Sequence, residues 1–173
     1  MSTPKTINPV LDATGEFASV NQPCEFVWFL AGKLGDGQIN IPKRSCRIPK
    51  SRSILFPVIN CEANCIEYPE LTTELDVLDK VSRDEDTIIL KECIVDSKQI
   101  PAQRIKSDPI IFDLTIAKEN ACEIAGGKSI PAAADGYWVF LKPLKCGIHS
   151  IEFRGSCENG RLFSGANYVL HVE

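Results

Sequence analysis

Two histidines, His149 and His171, are the residues of this chain best suited to general acid/base chemistry. Apolar and polar residues alternate around His149 in a predicted strand at 147–154, so this side chain shares a face with apolar residues. Two interpretations stay open: a catalytic histidine that lines a pocket, and a core histidine that is hydrogen-bonded to a carbonyl group. In the catalytic interpretation Asp135 or Glu152 would assist His149, although strand alternation places Glu152 on the opposite face.

A second group of polar residues could hold a ligand without catalysing a reaction. Asn60, Glu62, Asn64 and Glu67 follow a predicted strand. Amide and carboxylate oxygens at one end of a sandwich can bind sugar hydroxyls or Ca²⁺, and a plain surface loop is the alternative. Trp138 could stack on the face of a sugar, but a tryptophan in the middle of a strand is also typical of a core.

The eight cysteines allow three interpretations. An even number favours disulfides in an oxidising compartment, buried thiols are the second interpretation, and a metal site is the third. No structural zinc spacing and no Cys-x-x-Cys occurs, so we expect neither a metal site nor a cofactor. The disulfide candidates are Cys24, Cys46, Cys61, Cys65, Cys93, Cys122, Cys146 and Cys157.

One pairing and one reaction can be argued against from the spacing. Cys146 and Cys157 flank a predicted strand that would hold them more than about 20 Å apart, whereas a disulfide needs Cα atoms within about 7 Å. The connectivity of the others stays open. A nucleophilic cysteine, Cys61 or Cys146, paired with a histidine has no supporting local motif.

Composition excludes some partners. The net charge of −4 argues against nucleic acid, and the basic residues at 43–52 are interpreted as the outward side chains of strands and turns. No hydrophobic stretch reaches the roughly 18 residues of a membrane span, and the N-terminus has no apolar signal core. Cysteine usage nevertheless suggests an exported or periplasmic protein, with a cytoplasmic location as the alternative.

The elements that must position these residues are mostly strands. About nine short runs of β-type residues, separated by glycine and proline, predict a single all-β domain, an antiparallel sandwich of jelly-roll type at 24–173. Pro57 predicts an edge position or a bulge. Residues 1–23 predict an extended arm. The one helix is predicted at 70–83, from a stripe formed by Leu71, Leu75 and Leu78 that could extend to Val81.

Six ordered blocks resemble a family of uncharacterised bacterial proteins, many of them exported. The blocks are Asn-Pro-Val-Leu-Asp-Ala-Thr-Gly at 8–15, Val-Trp-Phe-Leu-Ala-Gly at 27–32, Arg-Ser-Cys-Arg-Ile-Pro at 44–49, Leu-Phe-Pro-Val-Ile-Asn at 55–60, Asp-Gly-Tyr-Trp-Val-Phe-Leu-Lys-Pro-Leu at 135–144 and Gly-Ile-His-Ser-Ile-Glu-Phe at 147–153. The resemblance covers about 150 residues. It implies an exported ancestor, and because no activity is established for the family it assigns no catalytic residue.

These observations favour a non-enzymatic binding or structural module over an enzyme. The expected ligand is a carbohydrate or another small molecule, held near residues 60–67 with Trp138 as a platform. The alternative is a small hydrolase, lyase or isomerase that uses His149 as its acid/base. Ligand identity and oligomeric state are not predicted.

Overall fold

Two β-sheets pack face to face in the computed structural model, which describes residues 2–34, 41–107, 112–129, 131–158, 160 and 162–173. The first sheet contains, in spatial order, β1 (Val27–Phe29), β4 (Ser53–Asn64), β10 (Ala132–Leu141) and β7 (Gln103–Lys106). The second contains β2 (Lys33–Leu34), β12 (Phe163–Val172), β11 (Gly147–Cys157), β5 (Ile88–Val95) and β6 (Lys98–Gln99), and β3 (Lys43–Ile48) also pairs with β12. The remaining elements are a small ribbon of β8 (Leu114–Ile116) and β9 (Gly127–Ser129), the helix α1 (Glu74–Asp86) and a 3₁₀ turn (Lys5–Ile7).

The predicted all-β sandwich with one short helix is confirmed. The main strands follow the order β1-β4-β10-β7 in one sheet and β12-β11-β5 in the other. Two pairs, β1 with β4 and β3 with β12, are parallel, which a purely antiparallel jelly roll would not contain. Alternation in a sequence reports which residues face the core, but it does not report the direction of the neighbouring strand.

The main core lies between the two sheets. The rings of Phe56 and Phe153 lie 4.9 Å apart between their centroids, and Phe153 also stacks on Tyr168. Aliphatic residues from both sheets, including Ile54 and Leu170, fill the space around them. Because these side chains occupy alternate positions of their strands, hydrophobic burial fixes the register of each sheet.

Strand β4 contains the bulge that Pro57 predicts. In the pairing of β4 with β10, Trp138 lies opposite Pro57 and Tyr137 lies opposite Ile59, so Val58 is an extra residue. The other side of β4 pairs with β1 at residues 53–55 alone. Residues 57–62 therefore form an edge that no described strand covers, which is called the open edge of β4 below.

Helix α1 covers the far half of the first sheet. A capping box starts it, because the Thr73 hydroxyl accepts from the backbone N–H of Asp76 and the Asp76 carboxylate accepts from that of Thr73. Its buried residues are Val77, Val81 and Glu85. Of the predicted stripe, Val81 is buried and Leu78 packs against the same cluster, whereas Leu71 and Leu75 are not part of the buried side of the helix.

The reason is that Leu71 precedes the helix and Leu75 is 67% exposed. The helix begins four residues after the predicted start. Its buried side follows residues 77, 81 and 85 rather than the leucines. Val77 and Val81 pack against Cys61, Ala63 and Ala133 of the sheet.

The N-terminal segment, residues 2–23, is not extended but folds back in turns on the sandwich. The Asp12 carboxylate accepts from the backbone N–H groups of Thr14 (2.8 Å) and Phe17 (2.9 Å). Arg44 is buried, although the sequence predicts that it points outward. Its guanidinium donates to the carbonyl oxygens of Asp12 (2.7 Å) and Val10 (3.2 Å), and so holds the segment against the second sheet.

No disulfide joins any two of the eight cysteines, so the disulfide interpretation is not supported. The fold separates them, because Cys93, Cys61 and Cys157 belong to three different hydrophobic clusters. Burial raises the pKa of Cys93 to about 12. The thiols that lack a disulfide are Cys24, Cys46, Cys61, Cys65, Cys93, Cys122, Cys146 and Cys157.

Among the described residues, no helix combines the length and the apolar character that crossing a bilayer requires.

Candidate functional site

A cleft of about 820 Å³ lies along the open edge of β4. Its walls come from the N-terminal segment, the chain after β1, the start of the turn after β4, helix α1, the loop after β8, and β10. The side chains that line it include Asn8, Pro9, Val10, Gln22, Phe29, Asn60, Cys61, Glu62, Glu67, Tyr68, Lys80, Asp84, Cys122 and Trp138. The volume is within the range of roughly 300–1,000 Å³ that is typical of small-molecule sites.

The open edge exists because β1 is short. Beyond residue 55 no described strand pairs with this side of β4, and turns of the N-terminal segment line the space beside it. Side chains alternate along a strand, so Asn60 and Glu62 point to one face of the sheet and Cys61 to the other. The cleft reaches around the edge and touches both faces.

Internal hydrogen bonds build the outer wall. The Asn8 side chain accepts from the backbone N–H of Val10 (3.0 Å) and donates to the carbonyl of Thr3 (3.2 Å), which forms an Asx turn around Pro9. The Gln22 amide exchanges two hydrogen bonds with the backbone of Phe29 (2.7 and 2.9 Å). These amides are occupied by the protein itself, so they shape the cleft and are not available to a ligand.

Trp138 presents its indole to the cleft. A Cβ atom at Gly136 would lie 2.8 Å from the indole nitrogen and 2.5 Å from Cβ of Asn60, so only glycine allows this packing. Phe29 adds a second half-buried ring. Trp28, in contrast, is 6% exposed and belongs to the main core, where it cannot meet a ligand.

The Glu62 carboxyl group brings a buried, unsatisfied oxygen to the cleft. Its Oε2 accepts from the Asn64 amide (3.3 Å), whereas its Oε1 is buried and has no hydrogen-bond partner among the described residues. Burial raises the pKa of Glu62 to about 7, the bond from Asn64 works in the opposite direction, and the nearby Glu67 carboxylate raises it further. Burial also raises the pKa of Glu67, against a smaller lowering by the Tyr68 hydroxyl.

Asn64 does not line the cleft. It is fully buried, and its Oδ1 accepts from the backbone N–H groups of Ile66 and Glu67, both at 2.9 Å. Asn64 therefore holds the turn that brings Glu67 to the cleft. The structure also differs from the sequence-based loop, because β4 continues through Asn64 and places Asn60 and Glu62 on the strand itself.

Lys80 is the one basic residue among the described residues that line the cleft, and it is engaged. Its ammonium group forms an ion pair with Asp84 and lies 4.7 Å from the centroid of the Tyr68 ring. Together, burial and the neighbouring acids raise the pKa of Tyr68 to about 12, so its hydroxyl stays neutral. The three acids of the lining, Glu62, Glu67 and Asp84, thus outnumber its bases.

The thiols of the cleft are not activated. Burial raises the pKa of Cys61, and the Glu85 carboxyl beside it raises it further. Burial raises the pKa of Cys122 as well. Because a nucleophilic cysteine needs a lowered pKa, the Cys61 nucleophile is not supported. Within the described part of the chain, no group of three or more histidine, cysteine, aspartate or glutamate residues is arranged to hold a metal ion.

His149 lies outside the lining of the cleft. Its Nδ1 is 2.6 Å from Oδ2 of Asp96, and its Nε2 is 2.9 Å from the carbonyl oxygen of Lys145. Both partners are acceptors, so the arrangement suits the doubly protonated ring. The hydrogen bond to Asp96 raises the pKa of His149. These hydrogen bonds connect the β5–β6 turn to the start of β11, and they leave neither ring nitrogen available to a substrate.

The acid/base partners predicted for His149 are elsewhere. Asp135 is buried under α1, where the Arg104 guanidinium donates to its Oδ2 at 2.7 Å. Glu152 is exposed on the outer face of β11, as its position in the alternation predicts. The fold therefore brings together Asn60, Glu62, Glu67 and Trp138, and it separates His149 from Asp135.

Sequence reasoning missed the outer wall of the cleft and one buried acid. The Asn8-Pro9 pair is a turn signal that could have indicated a folded N-terminal segment. Glu85 follows Val77 and Val81 at intervals of four residues, which places it on the buried side of α1. Glu85 is fully buried, and neither carboxyl oxygen has a hydrogen-bond partner among the described residues.

Comparison of the chain with protein-family models, with curated proteins and with solved structures gives no match, so the family resemblance stays a prediction.

Proposed function

We propose that this protein is a non-enzymatic binding module that holds a carbohydrate or another small organic ligand in the cleft along β4. The observation that carries the proposal is the cleft itself, which combines a ligand-sized volume with aromatic walls and a few converging polar groups. The cleft is built from strands and from turns whose polar groups are hydrogen-bonded within the protein, so it is formed before a ligand binds.

The side chains that line the cleft suit a ring-shaped polar ligand. The Trp138 indole offers a flat face on which a sugar or another ring can stack. The Asn60 amide has no hydrogen bond with another described residue, and it lies on the same face as Glu62. Amide and carboxyl groups of this kind fix the orientation of a ligand, while the rings supply apolar contact.

Two observations favour a binding module over an acid/base enzyme. Both ring nitrogens of His149 are used in the fold, and His149 does not line the cleft. The acids of the cleft have no histidine beside them among its described lining residues. A hydrolase, lyase or isomerase mechanism would have to rest on these carboxyl groups alone.

A ligand screen tests the proposal. A panel of monosaccharides, disaccharides and aromatic fragments is titrated into the protein, and the indole N–H resonance of Trp138 is followed by NMR. We expect at least one compound to shift this resonance and to slow the alkylation of Cys122, because both groups line the cleft. Affinity should fall in Trp138→Ala.

The matched control is Phe140→Ala, which removes an aromatic ring from the same strand that is 59% exposed and does not line the cleft. This variant should bind with unchanged affinity. A panel that leaves both Trp138 and Cys122 unaffected would refute the binding module.

A further inference from the structure

We infer that the cleft selects ligands that carry a protonated amino group, which Glu62 binds while the ligand body lies against Trp138. This inference rests on the proposed function and names the class of its ligand. It adds a charge requirement that neither the size of the cleft nor its aromatic walls impose.

The cleft already contains an acceptor that lacks a donor. Oε1 of Glu62 is buried without a hydrogen-bond partner among the described residues, although the carboxyl group belongs to the lining of an 820 Å³ space. A buried polar atom without a partner costs stability, and rotation of the carboxyl group toward a donor in the cleft would recover it. A hydroxyl could serve, but a charged N–H donor forms a stronger bond to a carboxylate.

The charges around Glu62 favour a cation. Glu67 lies close enough to raise the pKa of Glu62, and Asp84 lines the same space. Lys80 is paired with Asp84 and stacked on Tyr68, so it does not neutralise Glu62. An anionic ligand would be repelled by Glu62 and Glu67, whereas an ammonium group would be attracted by both, and Lys80 offsets only part of this charge, at Glu67.

The aromatic wall suits the rest of such a ligand. Trp138 lies on β10 opposite Pro57, and Asn60 and Glu62 follow on the same face of β4. A ring stacked on the indole would therefore place a short amino substituent toward Glu62. Cations also interact favourably with the faces of aromatic rings, which reinforces the same preference.

Binding of an amine has a signature that a neutral ligand lacks. Near pH 7 part of the Glu62 population is protonated, because burial raises the pKa of this group to about 7. A bound ammonium group stabilises the ionised carboxylate and lowers that pKa, so the proton is released to the buffer. The groups facing Glu62 that share in this titration are Glu67 and Cys122, of which the thiol stays protonated.

The test compares two probe pairs of matched shape, benzylamine with benzyl alcohol and glucosamine with glucose. Affinities for the full chain are measured by calorimetry at pH 7. We expect the amine of each pair to bind about tenfold or more tightly than its neutral partner, as a charge-assisted hydrogen bond implies. Heats recorded in buffers of different ionisation enthalpy should show proton release for the amine alone.

The variant Glu62→Gln keeps the size of the side chain and should reduce the amine preference to within about twofold. Glu70→Gln removes a carboxylate from an exposed residue outside the lining and should keep the preference. Thermal melting checks that both variants are folded, and the proton-release measurement on the unmodified protein needs no variant at all.

Equal affinities within each pair, amine binding without proton release, or no amine binding would overturn the inference. A neutral sugar or fragment that still shifts the Trp138 resonance would leave the binding module standing. Loss of both results would remove the module and the amine preference together.

Discussion

Asp135 and Glu62 lie one residue apart in the register of β10 and β4, but on opposite faces of the same sheet. Asp135 lies opposite Cys61 on the face that α1 covers, and Arg104 neutralises it through several hydrogen bonds. Glu62 faces the cleft, and one of its oxygens has no partner within the described part of the chain. The closed face thus supplies a counter-ion from the protein, whereas the open face supplies none to Glu62 among the described residues.

The largest expected effect is on the closed face. Arg104→Ala leaves the Asp135 carboxylate, whose side chain is 0% exposed, without its guanidinium partner. Breaking a buried ion pair from one side costs about 3–5 kcal/mol, so the free energy of unfolding should fall by about that amount. Urea denaturation followed by circular dichroism measures the change.

Arg83→Ala is the control for this prediction, because it removes an exposed arginine from α1 that has one weak bond to the Asp79 carbonyl. Its cost should stay within about 0.5 kcal/mol. A similar cost for both arginines would show that Asp135 does not depend on its counter-ion.

The second prediction concerns the open face. In Gly136→Ala the new methyl group would lie 2.5 Å from Cβ of Asn60 and 2.8 Å from the Trp138 indole nitrogen, so β4 or the indole must shift. We expect the free energy of unfolding to fall by about 1–3 kcal/mol, as overpacking implies. The Trp138 fluorescence should change in the same variant, whereas unchanged fluorescence and stability would show that the cleft wall yields easily.

The third prediction concerns Glu85, a buried acid that lacks the partner that Asp135 has. Burial raises its pKa in the folded state to about 7, against 4.5 in the unfolded chain, so the folded state holds a proton that the unfolded state loses. This group's contribution is therefore full below pH 4.5 and declines as the pH rises to 7. Glu85→Leu should flatten that decline and stabilise the protein at pH 8 by about 1 kcal/mol.

Unfolding curves at several pH values between 4 and 8 test this result. Glu74→Leu, at an exposed position of the same helix, should leave the pH dependence unchanged. A steeper decline in Glu85→Leu than in the unmodified protein would contradict the assignment.

The smallest effect is expected at the hydrogen bond between His149 and Asp96. The hydrogen bond to Asp96 raises the pKa of His149 above 6.5, so its stabilisation is complete below pH 6.5 and is lost as the pH rises through the folded-state pKa. The same contact lowers the pKa of Asp96, whose share is lost only below about pH 3.8. Asp96→Asn should cost about 0.5–1 kcal/mol at pH 6 and less at pH 8.

NMR titration of the His149 ring gives a second readout, because the ring pKa should fall toward 6.5 in Asp96→Asn. His171→Asn is the matched control, and it should leave the titration of the His149 ring unchanged. An unchanged pKa of His149 in Asp96→Asn would contradict a stabilising role for this hydrogen bond.

The sequence predicts what repeats along short stretches of chain, namely the sandwich, the single helix and the bulge near Pro57. Three of the candidate ligand residues, Asn60, Glu62 and Glu67, are neighbours in the chain, and they line the cleft together with Trp138, which lies opposite Pro57 in the adjacent strand β10. The sequence does not predict contacts between distant segments. The partner of His149 is Asp96, which is 53 residues away, and the outer wall of the cleft depends on turns at the N-terminus.

The buried Arg44 connects two parts of the molecule that the chain order keeps apart. Its guanidinium donates to backbone carbonyls of the N-terminal segment and to the Tyr168 hydroxyl of the second sheet. If that segment were withdrawn, the buried guanidinium would lose two of its hydrogen-bond acceptors. The first residues therefore stay in place while the sandwich is folded. Amide hydrogens that flank this anchor should therefore exchange with deuterium at the rate of global opening rather than by fraying.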